Sequence, residues 1–293
     1  MQKLYIIFNP TAGSVESREK IRARLKEVEP LALRITRRRG DAEKWARVAR
    51  TSKANTIIVA GGDGTLNEVI NGLGSFAKKK NIGLLPLGTG NDFARTLGLP
   101  PSLDDNIDIV RAGKTTRIDL VRVKSKRSRY FVNVSAGGFS GMVDEKITPQ
   151  IKRTWGPLAY VRGAAAALPN LHAYQTEILF DDDERLSIDL YNVVIANGRF
   201  VAGGLPIAPT ADPSDGKLEV VLIPKLGAAE MALLAAEIVL GTHLSSNATI
   251  FRRARKIAVR SRPGMCFNVD GELVGNAPAV FQILPRALNF IVK

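Results

Sequence analysis

The sequence predicts an α/β protein in which a doubly wound, parallel-sheet N-terminal domain is followed by a C-terminal antiparallel β-sandwich. Up to about Arg111, short apolar strands alternate with helices, which is the pattern of a parallel sheet with helical crossovers. After Thr115, strand follows strand through Asp-Gly and Asp-rich turns, which is typical of antiparallel sheets. Glycine-rich segments also follow two of the N-terminal strands, so we expect the first domain to bind a phosphate-bearing ligand.

The predicted first domain alternates strands and helices in a regular order. Ligands of such sheets bind beyond the carboxyl ends of the strands, so the polar residues that follow strands should converge on one crevice. The predicted strands are Leu4–Phe8, Leu31–Thr36, Thr56–Ala60 and Ile82–Pro86. The predicted helices are Glu16–Val28, Asp41–Thr51, Thr65–Leu73 and Asn91–Leu97. The residues that follow strands are Asn9, Thr36, Gly61–Thr65 and Gly88–Thr89.

The predicted second domain consists mainly of strands and begins near Ile118, with no flexible linker before it. Two helical insertions, Gly156–Leu168 and Ala228–Leu240, interrupt its strands. The predicted strands are Arg117–Val123, Tyr130–Ala136, Thr176–Asp181, Leu186–Asn197, Leu218–Pro224, Lys256–Arg260, Met265–Asp270 and Ala279–Leu284.

The net charge restricts the class of partner. The chain of 293 residues carries a formal charge of +14, which favours nucleic acid, nucleotides or an anionic membrane as partners. Basic runs occur at Arg37–Arg39, Lys124–Arg129 and Arg252–Lys256. The sequence contains no zinc-finger, helix-turn-helix or RNP-like pattern, so we do not expect a nucleic-acid partner.

Cysteine and histidine are rare. The single cysteine, Cys266, excludes an internal disulfide, suits a reducing cytosol and is expected in the core, since its neighbours are apolar. His172 and His243 lack metal-ligand spacing and are expected in loops or at the surface. The opening strand is too short for a signal peptide, and the apolar run Ala228–Leu240 contains two glutamates, so no membrane span is expected.

Two glycine motifs combine a phosphate cradle with an acid. Gly61–Thr65 and Gly88–Gly90 each lie between a predicted strand and a predicted helix, where backbone N–H groups and the helix end attract an anion. Asp63 and Asp92 accompany them, and a carboxylate beside a polyphosphate suggests Mg²⁺ positioning or proton abstraction. Neither motif fits the Rossmann or Walker fingerprint. We therefore predict a kinase-type site, the alternative being ordinary strand-to-helix turns.

The motifs also carry a family resemblance. Asn9–Gly13, Gly61–Thr65, Pro86–Arg95 and Val269–Glu272 resemble, in order, the motifs of the diacylglycerol kinase catalytic family, which includes soluble bacterial lipid kinases. The resemblance covers nearly the whole chain. It implies a nucleotide-binding domain over residues 1–118, a β-sandwich lipid-substrate domain over residues 119–293, and C-terminal strands (about 280–293) that pack back onto the first domain. It places catalysis in the cleft between the two domains.

The resemblance implies roles for individual residues, with ATP and Mg²⁺ as cofactors. Glu272 is implied as the general base, although its local sequence alone indicates an exposed hairpin glutamate. Asp63 and Asp92 are the candidates for positioning catalytic Mg²⁺, and Asp92 also suits a helix cap. The candidate nucleotide-binding residues are Asn9, Thr36, Gly61, Gly62, Asp63, Gly64, Thr65, Leu66, Asn67, Gly88 and Thr89, of which Asn9 and Thr36 also suit helix caps. A second metal, Mg²⁺ or Ca²⁺, is implied at Asp212, Asp215, the Lys217 carbonyl and Asp119, where local sequence alone favours a β-turn.

These observations predict an ATP- and Mg²⁺-dependent lipid kinase that acts on diacylglycerol or a related hydroxyl lipid. We expect a cytoplasmic protein attached peripherally to anionic membranes through Arg252–Lys256 and Gly156–Leu168. Two alternatives remain open: an NAD-kinase-like enzyme, which shares the first glycine motif, and a non-catalytic nucleotide- or lipid-binding protein. The lipid acceptor and the oligomeric state, including a homodimer, also stay open.

Overall fold

In the computed structural model, which describes residues 3–13, 18–139, 171–276 and 278–293, the chain divides into two units. The first unit comprises Met1–Leu120 with Pro285–Lys293, and the second comprises Val121–Leu284. The predicted helix Gly156–Leu168 lies outside the described residues. The functional division into residues 1–118 and 119–293 stays a prediction.

The first unit contains a parallel sheet in the strand order β2-β1-β3-β4-β15. All five residues of β1 are buried, as expected for a strand covered on both faces by helices. Its strands are β1 (Leu4–Phe8), β2 (Ala32–Ile35), β3 (Thr56–Gly61) and β4 (Asn81–Pro86), and β5 (Thr115–Lys124) and β15 (Ala279–Ile291) run from one unit into the other. Its helices are α1 (Arg18–Lys26), α2 (Asp41–Ala49), α3 (Asp63–Leu73), α4 (Asp92–Thr96) and α5 (Leu103–Ala112).

The strand order of this sheet identifies its ligand-binding edge. The chain passes from β1 to β2 on one side and then returns to β3 on the other side of β1, so the order reverses between β1 and β3. Open α/β sheets bind ligands beyond the carboxyl ends of the strands at such a switch point. Asn9 follows β1 there and donates its backbone N–H to the Ala60 carbonyl of β3 at 2.9 Å.

The second unit is built from antiparallel pairs around the long strand β9. Strand β8 pairs with the first half of β9, whereas β7 and β10 pair with its second half. The elements of this unit are β6 (Ser128–Phe131), β7 (Val134–Gly138), β8 (Tyr174–Phe180), β9 (Glu184–Ala196), β10 (Leu218–Pro224), α6 (Ala228–Leu240), β11 (Ile250–Ala254), β12 (Lys256–Arg262), β13 (Phe267–Val269) and β14 (Glu272–Gly275).

Aromatic side chains form the centre of the second core. The ring of Phe281 lies edge-on to Phe131 at 6.3 Å and to Phe267 at 5.1 Å between centroids. All three side chains are fully buried, and edge-to-face pairs of this kind stabilise a core beyond their buried area. They hold together strands β6, β13 and β15.

The predicted fold class is confirmed, with local differences in its elements. Helix α6 spans the predicted residues, whereas α3 begins at Asp63, because Gly62 serves as its N-cap. The single strand predicted over Tyr130–Ala136 is two strands, because the amides of Val132 and Val134 turn to the Asp270 carboxylate. Sequence periodicity gave no prediction for α5, β11 or β14.

Two predictions about single side chains were wrong. Cys266 is exposed, because strand alternation directs its neighbours Met265 and Phe267 into the core instead. His243 is fully buried, and its Nε2 donates to the Ile207 carbonyl at 2.9 Å. Burial lowers the pKa of the His243 imidazole below 6.5, an effect that the Ile207 carbonyl and Glu237 partly offset.

This buried imidazole predicts a loss of stability in mild acid. Because the folded pKa is lowered, the unfolded state takes up a proton first once the pH falls below 6.5, so unfolding becomes easier from there downward. We expect the urea midpoint of His243→Gln to fall less between pH 7.5 and pH 5.5 than that of the wild type. The exposed His172→Gln is the control. Equal pH dependence in wild type and His243→Gln would contradict this explanation.

Candidate functional site

The first glycine loop leaves backbone donors open at the start of α3. Gly62 is the N-cap, no side chain caps the helix, and Leu66 makes the first helical bond, to the Gly62 carbonyl at 3.0 Å. The amides of Asp63, Gly64 and Thr65 therefore have no helical acceptor. A Cβ on Gly64 would meet no atom within 4 Å, so the space beside these donors is open. Such a helix start attracts a phosphate group.

The two glycine loops touch at their backbones. A Cβ on Gly88 would lie 2.6 Å from the Cα of Gly62, and one on Gly62 would lie 3.0 Å from the Cα of Gly88. The Leu87 N–H donates to the Gly61 carbonyl at 3.0 Å beside this contact. Only glycine allows this approach, so the two motifs form one structure rather than two separate turns.

Asp63 joins the loops with its carboxylate. Its two oxygens accept the backbone N–H groups of Asp92 and Phe93, each at 3.0 Å. These amides open α4, so Asp63 caps a helix that is remote in sequence. Each carboxylate oxygen keeps a further lone pair, so contact with a metal ion through water remains open to Asp63.

The second loop is held by Asn91, which the sequence analysis did not single out. Its side chain accepts the Gly88 N–H at 2.9 Å and donates to the carbonyls of Gly88 and Pro86 at 2.6 and 3.2 Å. Asn91 itself has a φ of 51°, a conformation that asparagine tolerates better than most residues. An asparagine after a Gly-Thr-Gly turn was the available signal, because such side chains commonly bond nearby backbone.

The remaining predicted nucleotide-binding residues of the first unit differ in their partners and in their burial. The Asn9 side chain donates to the Thr65 hydroxyl at 3.0 Å, which brings the first predicted motif to the second. Thr36 is buried at the end of β2, and its N–H donates to the Phe8 carbonyl at 2.9 Å. Leu66 and Asn67 are buried along α3, whereas Gly64 and Thr89 are exposed.

The edge of the sheet next to Thr36 is positively charged. Arg37–Arg39 are exposed, and the N–H groups of Arg37 and Arg38 donate to the Asp41 carboxylate at 2.8 and 3.1 Å. These backbone bonds, the Arg37 one foremost, lower the pKa of Asp41. Glu68 of α3 accepts the N–H groups of Gly40 and Ala42, so the turn that presents the arginines is tied to the helix of the first glycine loop.

In the second unit, Glu272 begins β14 directly after a tight hairpin turn. Asp270 and Gly271 both have positive φ, 44° and 89°, which is the geometry of a two-residue turn between antiparallel strands. The predicted Asp-Gly turn is therefore confirmed. Glu272 is partly buried, with 18% of its side chain exposed, and its Oε2 lies 3.0 Å from the Arg129 guanidinium. Arg129 thus orients this carboxylate.

The turn before Glu272 is held by a second carboxylate. Asp270 accepts the N–H groups of Val134 at 2.9 Å and Val132 at 3.1 Å. Asn268 accepts the Gly271 N–H at 2.7 Å. Neither Asp270 nor Arg129 was singled out as a supporting residue in the sequence analysis. An ion pair between residues 143 positions apart leaves no pattern in the sequence.

The four residues predicted to bind a second metal have protein partners. Asp215 accepts the Lys217 N–H at 2.9 Å and forms an ion pair with Arg253, while Asp212 accepts the Ser214 N–H at 2.9 Å. Asp119, in the first unit, is fully buried and accepts the Arg286 N–H at 2.7 Å. Across the described residues, no group of three or more His, Cys, Asp or Glu side chains could hold a metal ion. The second metal therefore stays a prediction, and we derive no step through it.

Both halves of the chain match known protein families. Residues 3–123 match the diacylglycerol kinase catalytic domain, and residues 133–292 match the YegS C-terminal NAD kinase beta sandwich-like domain. A diacylglycerol kinase from Staphylococcus epidermidis is 33% identical over 292 residues, which cover 97% of this chain and 90% of the relative.

Solved structures show the same fold. A candidate diacylglycerol kinase from Bacillus anthracis has a TM-score of 0.84 at 22% identity, covering 100% of this chain and 97% of its own. An NAD kinase from Archaeoglobus fulgidus, solved in complex with ATP, has a TM-score of 0.55 at 16% identity, covering 98% of this chain and 93% of its own. At these identities the two structures establish the fold alone.

The contact between the glycine loops predicts unequal costs for two alanine substitutions. Gly88→Ala places a methyl group against the Gly62 backbone, and we expect it to lower the free energy of unfolding by about 1–3 kcal/mol. Gly64→Ala, the control, fills open space in a helix and should raise it by about 0.4–1 kcal/mol. Urea unfolding followed by circular dichroism measures both. Equal stability of the two variants would contradict the close contact.

Proposed function

We propose, from the premise that this chain belongs to the diacylglycerol kinase catalytic family, that its kinase reaction transfers the γ-phosphate of ATP to the hydroxyl group of diacylglycerol or a related lipid. The main structural support is the open set of amide donors at Asp63–Thr65, at the switch point of a parallel sheet. A bound triphosphate needs such donors, whereas an ordinary packed turn leaves none open.

Residues of the first unit would hold ATP. The amides at the start of α3 bind phosphate oxygens, and the glycines at 61, 62 and 88 let the loops that present these amides pack closely. The hydroxyl and amide groups of Asn9, Thr36 and Thr89 supply further hydrogen bonds. Leu66 and Asn67 support the loop from the buried side of the helix.

The acids beside the phosphates suit a magnesium-dependent reaction. Mg²⁺, when bound, spreads the negative charge of the transferring phosphoryl group. Asp63 would help to hold the ion through water, with the lone pairs that its amide contacts leave free. Asp92 would add a second carboxyl group at the start of α4, where the residue is 7% exposed.

Glu272 is the proposed general base. The lipid hydroxyl gives its proton to the Glu272 carboxylate as its oxygen bonds to phosphorus, and ADP leaves with the electrons of the broken bond. The partial burial of Glu272 and its contact with Arg129 hold the carboxylate in one orientation. A fixed orientation favours proton transfer, because the base must lie within hydrogen-bond reach of the hydroxyl.

Replacing the base should separate chemistry from nucleotide binding. We expect Glu272→Gln to lower kcat by about 10²–10⁴-fold, because the amide cannot take up the proton, while the ATP dissociation constant changes little. Glu177→Gln, an exposed glutamate of the same unit, is the control and should keep wild-type turnover. Radiolabelled ATP transfer and equilibrium ATP binding measure the two quantities.

Gly64→Ala should instead impair ATP binding. It leaves the fold intact but places a methyl group in the open space beside the phosphate donors, so ATP binding should weaken. Full turnover in Glu272→Gln would remove the base assignment, and unchanged ATP affinity in Gly64→Ala would remove the phosphate assignment.

An acceptor assay tests the proposed reaction directly. Purified protein with ATP and Mg²⁺ should phosphorylate a short-chain diacylglycerol in neutral detergent micelles and leave NAD unmodified. Phosphorylation of NAD but of no lipid in a panel of hydroxyl lipids would assign the chain to the NAD-kinase-like alternative. Tight ATP binding without turnover on any acceptor would indicate a non-catalytic protein.

A further inference from the structure

The turn between β5 and β6 presents three exposed cations, Lys124, Lys126 and Arg127. In the part of the chain that the structure describes, none of them pairs with a carboxylate, and the Lys126 ammonium donates only to the Asn276 side chain, at 3.2 Å. Unpaired cations on a short hairpin keep their full attraction for an anionic surface.

This hairpin lies beside the strand that carries the proposed base. Lys126 contacts Asn276 just after β14, and Arg129 contacts Glu272 at the start of β14. The side chain of Lys126 also lies next to Gly275, because a Cβ added to Gly275 would be 3.5 Å from the Lys126 Cδ. The cations therefore belong to a local surface of the second unit that borders β14, the strand that begins at the proposed base.

An exposed leucine completes this surface. Leu273 directly follows Glu272, and 69% of it is exposed, whereas the next residue, Val274, is buried. Strand β14 ends the path of paired strands, so among the described residues no further strand covers it there. A large aliphatic side chain that projects from an edge strand next to unpaired cations resembles a membrane anchor more than a core residue.

The basic cluster Arg252–Lys256, predicted from the sequence as part of the docking face, differs from this hairpin because most of its cations form ion pairs. Arg252 pairs with Glu184 at 2.8 Å, Arg253 pairs with Asp215, and Lys256 pairs with Asp182 at 2.7 Å. Neighbouring carboxylates thus largely neutralise Arg252–Lys256. The other predicted part, Gly156–Leu168, lies outside the described residues.

We propose that Lys124, Lys126, Arg127 and Leu273, here called the Leu273 surface, dock the protein onto anionic lipid bilayers. The cations bind lipid headgroups, and Leu273 enters the interface between headgroups and acyl chains. This inference rests on the proposed function, because it brings the residue next to the base to the plane in which a lipid hydroxyl lies. None of the four side chains is aromatic, so the surface lacks the stacking platform that single-stranded nucleic acid requires.

Charge neutralisation on the hairpin is the first test. The triple variant K124Q/K126Q/R127Q should partition on the order of 100-fold more weakly than wild type onto phosphatidylcholine vesicles containing phosphatidylglycerol. The control triple variant R185Q/K225Q/R255Q removes the same charge from exposed cations of the same unit that form no ion pair with any described residue, and it should stay within a few-fold of wild type. Vesicle sedimentation at low salt measures both, after circular dichroism has confirmed folding.

Leucine substitution is the second test. Leu273→Ser should weaken vesicle partitioning by roughly 10-fold, because an inserted aliphatic side chain leaves the interface. Leu240→Ser, which changes a leucine of α6 that is 75% exposed, is the matched control and should have little effect. An equal loss of vesicle partitioning in the hairpin and control triple variants would overturn the proposal. A loss of partitioning in Leu240→Ser without one in Leu273→Ser would also overturn it.

Vesicle binding requires no turnover, so its outcome is independent of the proposed reaction. If wild type phosphorylates no lipid in micelles but the Leu273 surface controls vesicle binding, the reaction is wrong and the docking surface stands. If lipid is phosphorylated but the hairpin variant binds anionic vesicles normally, the docking surface is wrong. Loss of binding to a random oligonucleotide without any change in vesicle binding would assign the surface to nucleic acid and also overturn the proposal.

Discussion

The close contact of the two glycine loops is the constraint on which the N-terminal site depends. Gly62 and Gly88 leave no room for a side chain between them, and the Asp63 carboxylate reaches across to the first amides of α4. The switch in strand order between β1 and β3 places these loops at the edge of the sheet where ligands bind. The shape of the phosphate cradle is therefore a property of backbone positions as much as of side-chain type.

The second unit uses the same device in front of Glu272. Asp270 accepts the amides of Val132 and Val134, so the break between two strands leaves no buried donor unpaired. In both units an aspartate of a glycine-containing motif holds backbone amides of a neighbouring loop. Loss of activity on replacing Asp63 or Asp270 would therefore combine a loss of local structure with any loss of chemistry. Glu272 and Gly64 separate those effects better, because neither holds a loop together.

The positive charge of the chain does not act uniformly. A net charge of +14 describes the whole molecule, but ion pairs with Glu184, Asp215 and Asp182 largely neutralise one basic cluster. In the part of the chain that the structure describes, Lys124, Lys126 and Arg127 in the turn between β5 and β6 pair with no carboxylate. Attraction to an anionic surface depends on the unpaired local charge. Runs of lysine and arginine in a sequence therefore predict poorly which surface will bind a membrane. In the described part of the chain, no helix has the length and apolarity needed to cross a membrane.

The sequence by itself determined the fold class, most strands and helices, the family and the Asp-Gly hairpin before Glu272, because periodicity, turn chemistry and ordered motifs act over a few residues. It did not determine the strand order, the contact of Gly62 with Gly88, or the partners of Asp63 and Glu272, which join residues far apart in the chain. It also misplaced His243 and Cys266, because burial of a single side chain depends on which neighbours the fold brings to it. Those contacts exist only after the chain has folded, so the tertiary structure decided them.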